Sequence, residues 1–374
     1  MQFNSENLYC SPFMRNSCIF LILFLLPTIC KSSVDDSLPQ GVASRLLIFP
    51  FILRSPETKW GFGAAGAFFF KTNNKEENLR TSDINVVSLY TLRKQVVIVL
   101  GSTIFFSGEN EIFRGQSSYS YYPDKFWGLG NDSPDSFKTD YSLKQFFLNP
   151  QFIIRTYEKL FVGASVEVQN VTNFSFKSGS IFDSPNILGK MGGFTAGLGI
   201  LFTLDTRNNA YSPSKGEFAE LNITRFTKVL GSDFDFTSYT FDLRRFYPFG
   251  KNRVIGIQGF SKFNFGKTPI RNLSMLGGNE IMRGYYKGRY ADRNMITFQA
   301  ELRQYLFWRL GLVAFVSTGQ VSNKLNELGL NDFHLAGGGG LRIMLHKKEK
   351  LNLRVDVGFA ENSTGVYVIM KEAF

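Results

Sequence analysis

Polar and apolar residues alternate along most of the chain after residue 40. In residues 160–170, Leu160, Val162, Ala164, Val166 and Val168 share one face, and Phe161, Gly163, Ser165, Glu167 and Gln169 share the other. Residues 351–359 place Leu351, Leu353, Val355, Val357 and Phe359 on one side and Asn352, Arg354, Asp356 and Gly358 on the opposite side. Residues 296–305 divide in the same way, with Ile296, Phe298, Ala300, Leu302 and Gln304 against Thr297, Gln299, Glu301, Arg303 and Tyr305. Successive side chains of a strand point to opposite faces, so this period of two predicts strands with one apolar face. No stretch of ten residues after residue 40 carries the helical period. Strands are predicted near residues 45–54, 58–71, 83–93, 95–106, 110–121, 141–155, 159–172, 194–205, 216–227, 235–247, 252–264, 294–306, 309–320, 333–345, 350–359 and 365–374.

Short joints at residues 93–94, 248–251 and 346–350 alternate with long connections at 123–140 and 266–293. An even set of strands, apolar on one face and polar on the other, with short turns at one end and long loops at the other, describes a transmembrane antiparallel β-barrel of about 16 strands. A bilayer offers no water to satisfy strand edges, which favours closure of the sheet. A sandwich rarely needs so many strands, and no repeat of propeller length is present. The fold class expected is therefore all-β, a barrel over residues 45–374.

The N-terminal region reads differently. Arg15 precedes an apolar run at residues 19–26, Pro27 breaks it, and small or polar residues follow, which is the layout of an export signal over residues 1–32. Translation is expected to begin at Met14, and residues 33–44 form a short segment before the barrel. The apolar run at residues 19–29 is too short for a spanning helix of about 20 residues. All three cysteines, Cys10, Cys18 and Cys30, lie in or beside this leader, so cleavage leaves neither disulfides nor thiol chemistry. His334 and His346 cannot form a zinc site alone. No cofactor is expected.

Composition sharpens the picture in two ways. Phe alone supplies 40 of the 374 residues, which fits aromatic girdles at the two membrane interfaces. The net charge is +11, but no basic helix or nucleic-acid motif accompanies it, so no nucleic-acid partner is expected. Lys and Arg near a barrel rim are expected to meet lipopolysaccharide phosphates instead. The glycine run at residues 337–340 lies inside a strand, opens no helix, and reads as close backbone packing against an inserted loop. No Ser occupies a Gly-x-Ser-x-Gly motif, and the chain is not expected to be an enzyme.

Four features converge on a family. Gly277-Gly278-Asn279-Glu280-Ile281-Met282-Arg283-Gly284-Tyr285 resembles the Gly-Gly … hydrophobic-Arg-Gly-aromatic motif of the BamA/TamA outer-membrane barrel superfamily, also called the bacterial surface antigen barrel. Asp205-Thr206-Arg207-Asn208-Asn209, with Pro213 and Gly216, resembles its Asp-x-Arg-(Asp/Asn)-Asn … Pro … Gly turn. Gln299-Ala300-Glu301-Leu302-Arg303 resembles its Glu-x-Arg strand. Val366, Val368, Met370 and Phe374 alternate like a C-terminal assembly signal ending in an aromatic residue, although Glu372 interrupts the apolar face. The first three span residues 199–320 in the family's order. Residues 126–131 and 282–290 are similar to segments of a branch lacking POTRA domains. About a dozen residues between the leader and the first strand leave no room for such a domain.

The resemblance implies an inward-folded extracellular loop between the eleventh and twelfth strands. Arg283, with its planar set of five donors, suits a carboxylate inside the barrel wall. Gly277, Gly278 and Gly284 permit positive φ or close approach there. Glu301 is the expected partner, with Arg303 on the same face. Ser317, in Phe315-Val316-Ser317-Thr318-Gly319, stands where the family has an Asp, and shifts weight onto Glu301. Asp205 and Arg207 are expected to be rim structure. The resemblance also implies a location, the bacterial outer membrane. The implied partners are its lipids and lipopolysaccharide, the barrel-assembly machinery and client barrels, and the implied role is help in inserting or translocating protein or lipid. A passive pore or structural surface barrel is the alternative, and a lumen plugged by the loop argues against a wide porin.

Overall fold

The computed structural model describes residues 44–55, 59–73, 75–76, 79–92, 94–346, 350–370 and 372–374. The leader, the three cysteines and nearly all of the segment before the barrel lie outside these residues. Sixteen strands form one antiparallel sheet in chain order. They are β1 (Ser44–Ser55), β2 (Lys59–Phe70), β3 (Ser82–Thr91), β4 (Val96–Phe105), β5 (Glu111–Phe126), β6 (Thr139–Tyr157), β7 (Leu160–Phe176), β8 (Gly193–Asp205), β9 (Gly216–Phe226), β10 (Phe236–Pro248), β11 (Arg253–Gly266), β14 (Asn294–Tyr305), β15 (Leu310–Ser322), β16 (His334–His346), β17 (Leu351–Ala360) and β18 (Ser363–Met370). The two remaining strands, β12 (Ser274–Leu276) and β13 (Tyr290–Asp292), pair with each other inside the long β11–β14 connection.

The alternation seen in the sequence assigns the two faces. On β14, Phe298 and Leu302 are exposed while Thr297, Gln299, Glu301 and Arg303 are buried. On β17, Phe359 is exposed while Asn352, Arg354 and Asp356 are buried. Apolar residues therefore face outward and polar ones inward, the inverse of a water-soluble protein and the arrangement a bilayer demands. The sheet curls around this polar interior. Arg114 of β5 reaches Glu220 of β9 at 3.0 Å although β6, β7 and β8 lie between them in the sheet. The chain is thus a transmembrane antiparallel β-barrel. Its hydrogen-bonded order runs from β1 to β18.

Three details depart from the sequence reading. β5 and β6 pair as far as Phe126↔Thr139, so much of the connection expected at residues 123–140 is strand. Pro123 removes one donor from the ladder without ending it. Beyond it, Phe126, Tyr141, Leu143 and Phe182 form an apolar cluster that rewards the longer pairing. The glycines at 337–340 do not pack against the loop. A Cβ on Gly338 would meet the Val357 carbonyl and the Phe315 ring, and one on Gly340 would meet the Asp356 carboxylate. They make room for these neighbours instead.

The third difference concerns the end of β18. The strand stops at Met370, and Phe374 does not continue the outward face of Val366 and Val368. It is fully buried inside, against Phe246, with ring centroids 6.0 Å apart. Had the strand run on, the alternation would aim Glu372 at lipid, which is costly for a charge. Turned inward, Glu372 receives hydrogen bonds from Arg342 and Asn352 at 2.6 and 2.7 Å.

Candidate functional site: a loop tied across the lumen

The connection of residues 267–293 leaves the sheet at the end where the long loops gather and folds back into the lumen. Glycines shape its tip. Gly277, Gly278 and Gly284 have φ of +99°, +105° and +125°, a region that L side chains avoid. The Gly278 N–H donates to the Tyr285 carbonyl at 3.0 Å and closes the turn. Met282, itself at φ +52°, is fully buried in an apolar cluster with Leu276, Tyr285, Tyr290 and Met295. Apolar packing thus seats the turn, and the adjacent Arg283 is left facing the barrel wall.

Arg283 is fully buried and bonded on two sides. One Nη donates to Glu301 on β14, and the other donates to Asp356 on β17 at 2.7 Å. Its guanidinium carbon lies 3.6 Å from the centroid of the Phe315 ring on β15. The same two carboxylates serve other arginines. Arg303 Nε donates to Glu301 at 2.8 Å, Arg342 Nη1 to Asp356 at 2.5 Å and Arg354 Nη1 to Asp356 at 3.2 Å. A buried charge without a partner costs several kcal/mol, so these side chains hold one another in place.

Backbone contacts complete the grip. Arg354 donates to the Asn279 carbonyl at 2.7 Å and Gln299 to the Glu280 carbonyl at 2.8 Å. The Gly284 N–H donates to the Tyr367 hydroxyl at 2.9 Å, and the Ser363 hydroxyl donates to the Gly284 carbonyl at 2.7 Å. Both side chains belong to β18, so the tip is tied to the last strand of the sheet. Gly358 permits this approach, since a Cβ there would lie 2.5 Å from the Arg283 carbonyl.

The rest of the loop reaches the opposite wall. The Tyr286 hydroxyl donates to Asp124 on β5 at 2.8 Å, and its ring lies 5.1 Å from that of Trp127. Arg271 donates to Gln145 at 3.0 Å and Tyr141 at 3.2 Å, both on β6. Arg289 donates to the Ser133 carbonyl at 2.8 Å. Asn131, from the β5–β6 connection, crosses in turn to β15 and β16. It accepts from the Val321 N–H at 2.9 Å, and its carbonyl lies 3.0 Å from His334 Nε2. His334 is stacked on Tyr290 at 3.7 Å, so it acts as packing. The His346 side chain lies outside what the structure describes.

The other expected site residues fall in distinct places. Arg303 touches Glu301 rather than Arg283. Ser317 is not a ligand of Arg283; its hydroxyl lies 3.4 Å from the Ala336 carbonyl, one strand away from Asp356. The acid missing from β15 is supplied by β17, where Asp356-Val357-Gly358 carries an Asp-x-Gly spacing. Asp205 and Arg207 pair with each other in a turn at the opposite end of the barrel, at 2.8 and 3.0 Å, with Arg207 over the Phe218 ring. Asn209 accepts from the Tyr211 and Ser212 N–H groups, Pro213 is buried, and Gly216 sits at φ +102° against the Thr206 carbonyl. Val366 and Val368 are half-buried, and of the Met370 side chain nothing is described. Asp356, Tyr367 and Asp124 were not singled out as ligands of the loop. Two traces of them were in the sequence: Asp356 stands on the polar face beside Arg354, and Tyr367 is inward between two outward valines.

A sixteen-stranded transmembrane barrel with a loop clamped inside it by a buried arginine defines a class of plugged outer-membrane-type barrels. Residues 91–345 match the model of the Omp85 superfamily domain, and the chain belongs to that superfamily. No curated protein matches the sequence. Among solved structures, BamA from Haemophilus ducreyi lacking POTRA domains 1–3 matches with a TM-score of 0.54 and 12% identity, over 88% of this chain and 69% of that one. CdiB from Acinetobacter baumannii matches with a TM-score of 0.55 and 12% identity, over 87% of this chain and 59% of that one. CdiB from Escherichia coli matches with a TM-score of 0.59 and 11% identity, over 89% and 62%. This chain therefore spans less than two thirds of the CdiB proteins. At these identities the likeness is one of fold.

Proposed function

We propose that this barrel assists the insertion or translocation of protein or lipid at the bacterial outer membrane. The observation that carries the reading is the Arg283 clamp. It holds a loop across the lumen from β14–β18 to β5–β6 and occupies the route a passive pore would need. With the loop held across the lumen, the route we assign to a client is lateral, at β1 and β18, the ends of the sheet order. β18, at 8 residues against 12 in β1, offers the shorter edge, and its Ser363 and Tyr367 are in contact with the clamp. Membership of the Omp85 superfamily supports the same reading and the outer-membrane location. The partners are accordingly outer-membrane lipids and lipopolysaccharide, the assembly machinery that builds the barrel, and the clients it serves; no reaction is catalysed.

The test is quantitative outer-membrane proteomics after depletion of the protein. A defined set of barrels is expected to fall while their transcripts hold. An unchanged outer-membrane proteome and lipid composition overturns the reading and favours a structural barrel.

A further inference from the structure

We infer that the lumen holds a peptide-binding site for a segment with an acidic residue two positions before an aromatic one, occupied in cis by Glu372-Ala373-Phe374. The site is built from five strands at the end of the barrel opposite the long loops. Arg342 of β16 donates to the Glu372 carboxylate at 2.6 Å, and Asn352 of β17 donates to its other oxygen at 2.7 Å. Arg303 of β14 donates to the Phe374 main-chain oxygen at 2.9 Å. The Phe374 ring is seated on Phe246 of β10 and under the Arg303 guanidinium, in an apolar niche completed by Val254. Gly256 opens that niche, since a Cβ there would come within 3.1 Å of the ring.

Two features mark this as a receptor for a segment rather than incidental packing. The first is charge. The connected cluster holds four arginines (Arg283, Arg303, Arg342 and Arg354) against Glu301, Asp356 and Glu372. Without Glu372, two carboxylates face four buried guanidinium groups, so the site demands an anion. Arg303 Nη1 and Arg342 Nη2 are also buried with no acceptor among the described residues. The second is connectivity. Glu372 leads through Arg342 and Asp356 to Arg283, and the Phe374 oxygen leads through Arg303 and Glu301 to the same residue. The segment thus closes a ring of ion pairs and one hydrogen bond that includes the loop clamp. A segment of the same chemistry arriving from another chain would displace residues 372–374 and reach the clamp from below.

This inference deepens the client-handling reading by naming a substrate class, and its test is separate. A fluorescent Met-Lys-Glu-Ala-Phe peptide is titrated by anisotropy into the whole protein and into the double variant Glu372→Ala/Phe374→Ala, both folded in detergent micelles. The variant is expected to bind at least tenfold more tightly, because its site is vacant. Replacing the peptide's Glu by Lys is expected to weaken binding at least tenfold. If the double variant does not fold, Phe374→Ala alone is read by the same criteria. Equal binding to both proteins, or equal binding of the Lys peptide, overturns the proposal. Tail-dependent binding with an unchanged proteome on depletion keeps the site and discards the client role; the opposite pair of results does the reverse.

Discussion

The loop meets two walls of the barrel, and they hold it by different means. On the β14–β18 side it is held by a fully buried arginine shared between two carboxylates, within a cluster of further ion pairs. On the β5–β6 side it is held by hydrogen bonds from Tyr286, Arg271 and Arg289, and by two longer ion pairs that are not fully buried, Arg271 to Asp124 at 3.7 Å and Arg289 to Asp135 at 3.3 Å. Around that second wall the lumen is lined by neutral residues such as Gln145, Asn149, Gln151 and Gln169. Breaking a buried ion pair strands a charge and costs about 3–5 kcal/mol, whereas a hydrogen bond to a charged group contributes about 1.5–3 kcal/mol. The same loop therefore has a strong end, which also touches the terminal strand, and a weaker end that releases first.

The largest effect is expected from Arg283→Ala. It leaves Glu301 and Asp356 facing the remaining arginines without their central partner, and the barrel should lose roughly 3–5 kcal/mol of stability with a rise in conductance. Urea unfolding in micelles and planar-bilayer recording check this. Stability and conductance equal to the parent would remove the clamp from the account.

Gly358→Ala comes next. Its methyl group would press on the Arg283 carbonyl 2.5 Å away, so the motif must lift from β17 without any charge being deleted. Overpacking of this kind costs about 1–3 kcal/mol. A loss of stability comparable to that of an alanine at an outward-facing position would show that the loop does not lie against Gly358.

On the weaker side, Tyr286→Phe removes one donor to Asp124, which keeps the Tyr141 hydroxyl, and should cost about 1.5 kcal/mol, with faster hydrogen exchange at residues 285–291 and unchanged exchange at residues 277–284. Equal acceleration across the whole loop would erase the distinction between its two ends. The smallest effect belongs to Ser317→Ala. Ser317 is not bonded to Arg283, and among the described residues its hydroxyl makes one long hydrogen bond, to the Ala336 carbonyl, so the change should stay within about 0.5 kcal/mol. A larger loss would place Ser317 in the clamp after all.

These contrasts also explain what the sequence could carry. The strands were legible because a membrane barrel imposes opposite solvents on alternate residues, and residues 351–359 of β17 obey that rule. The pairing of β5 and β6 beyond Pro123 was not, because a proline reads as a break while the aromatic cluster that overrides it is assembled from distant residues. Arg283 and Glu301 were recognisable from their motifs. Asp356 was not paired with Arg283, because its place depends on the loop's path past β15 to β17, and no periodicity records that path. Phe374 misled for a related reason. Its alternation with Val366 and Val368 is real along the chain, but the cost of aiming Glu372 at lipid and the presence of Arg342 turn the segment inward.

The most direct measurement is hydrogen–deuterium exchange on the folded barrel, comparing the parent with Arg283→Ala. The account predicts that residues 277–284 lose protection by roughly a hundredfold, as a loss of about 3 kcal/mol requires. Unchanged protection of residues 277–284 would contradict it, because the loop would then be held across the lumen by something other than its buried arginine.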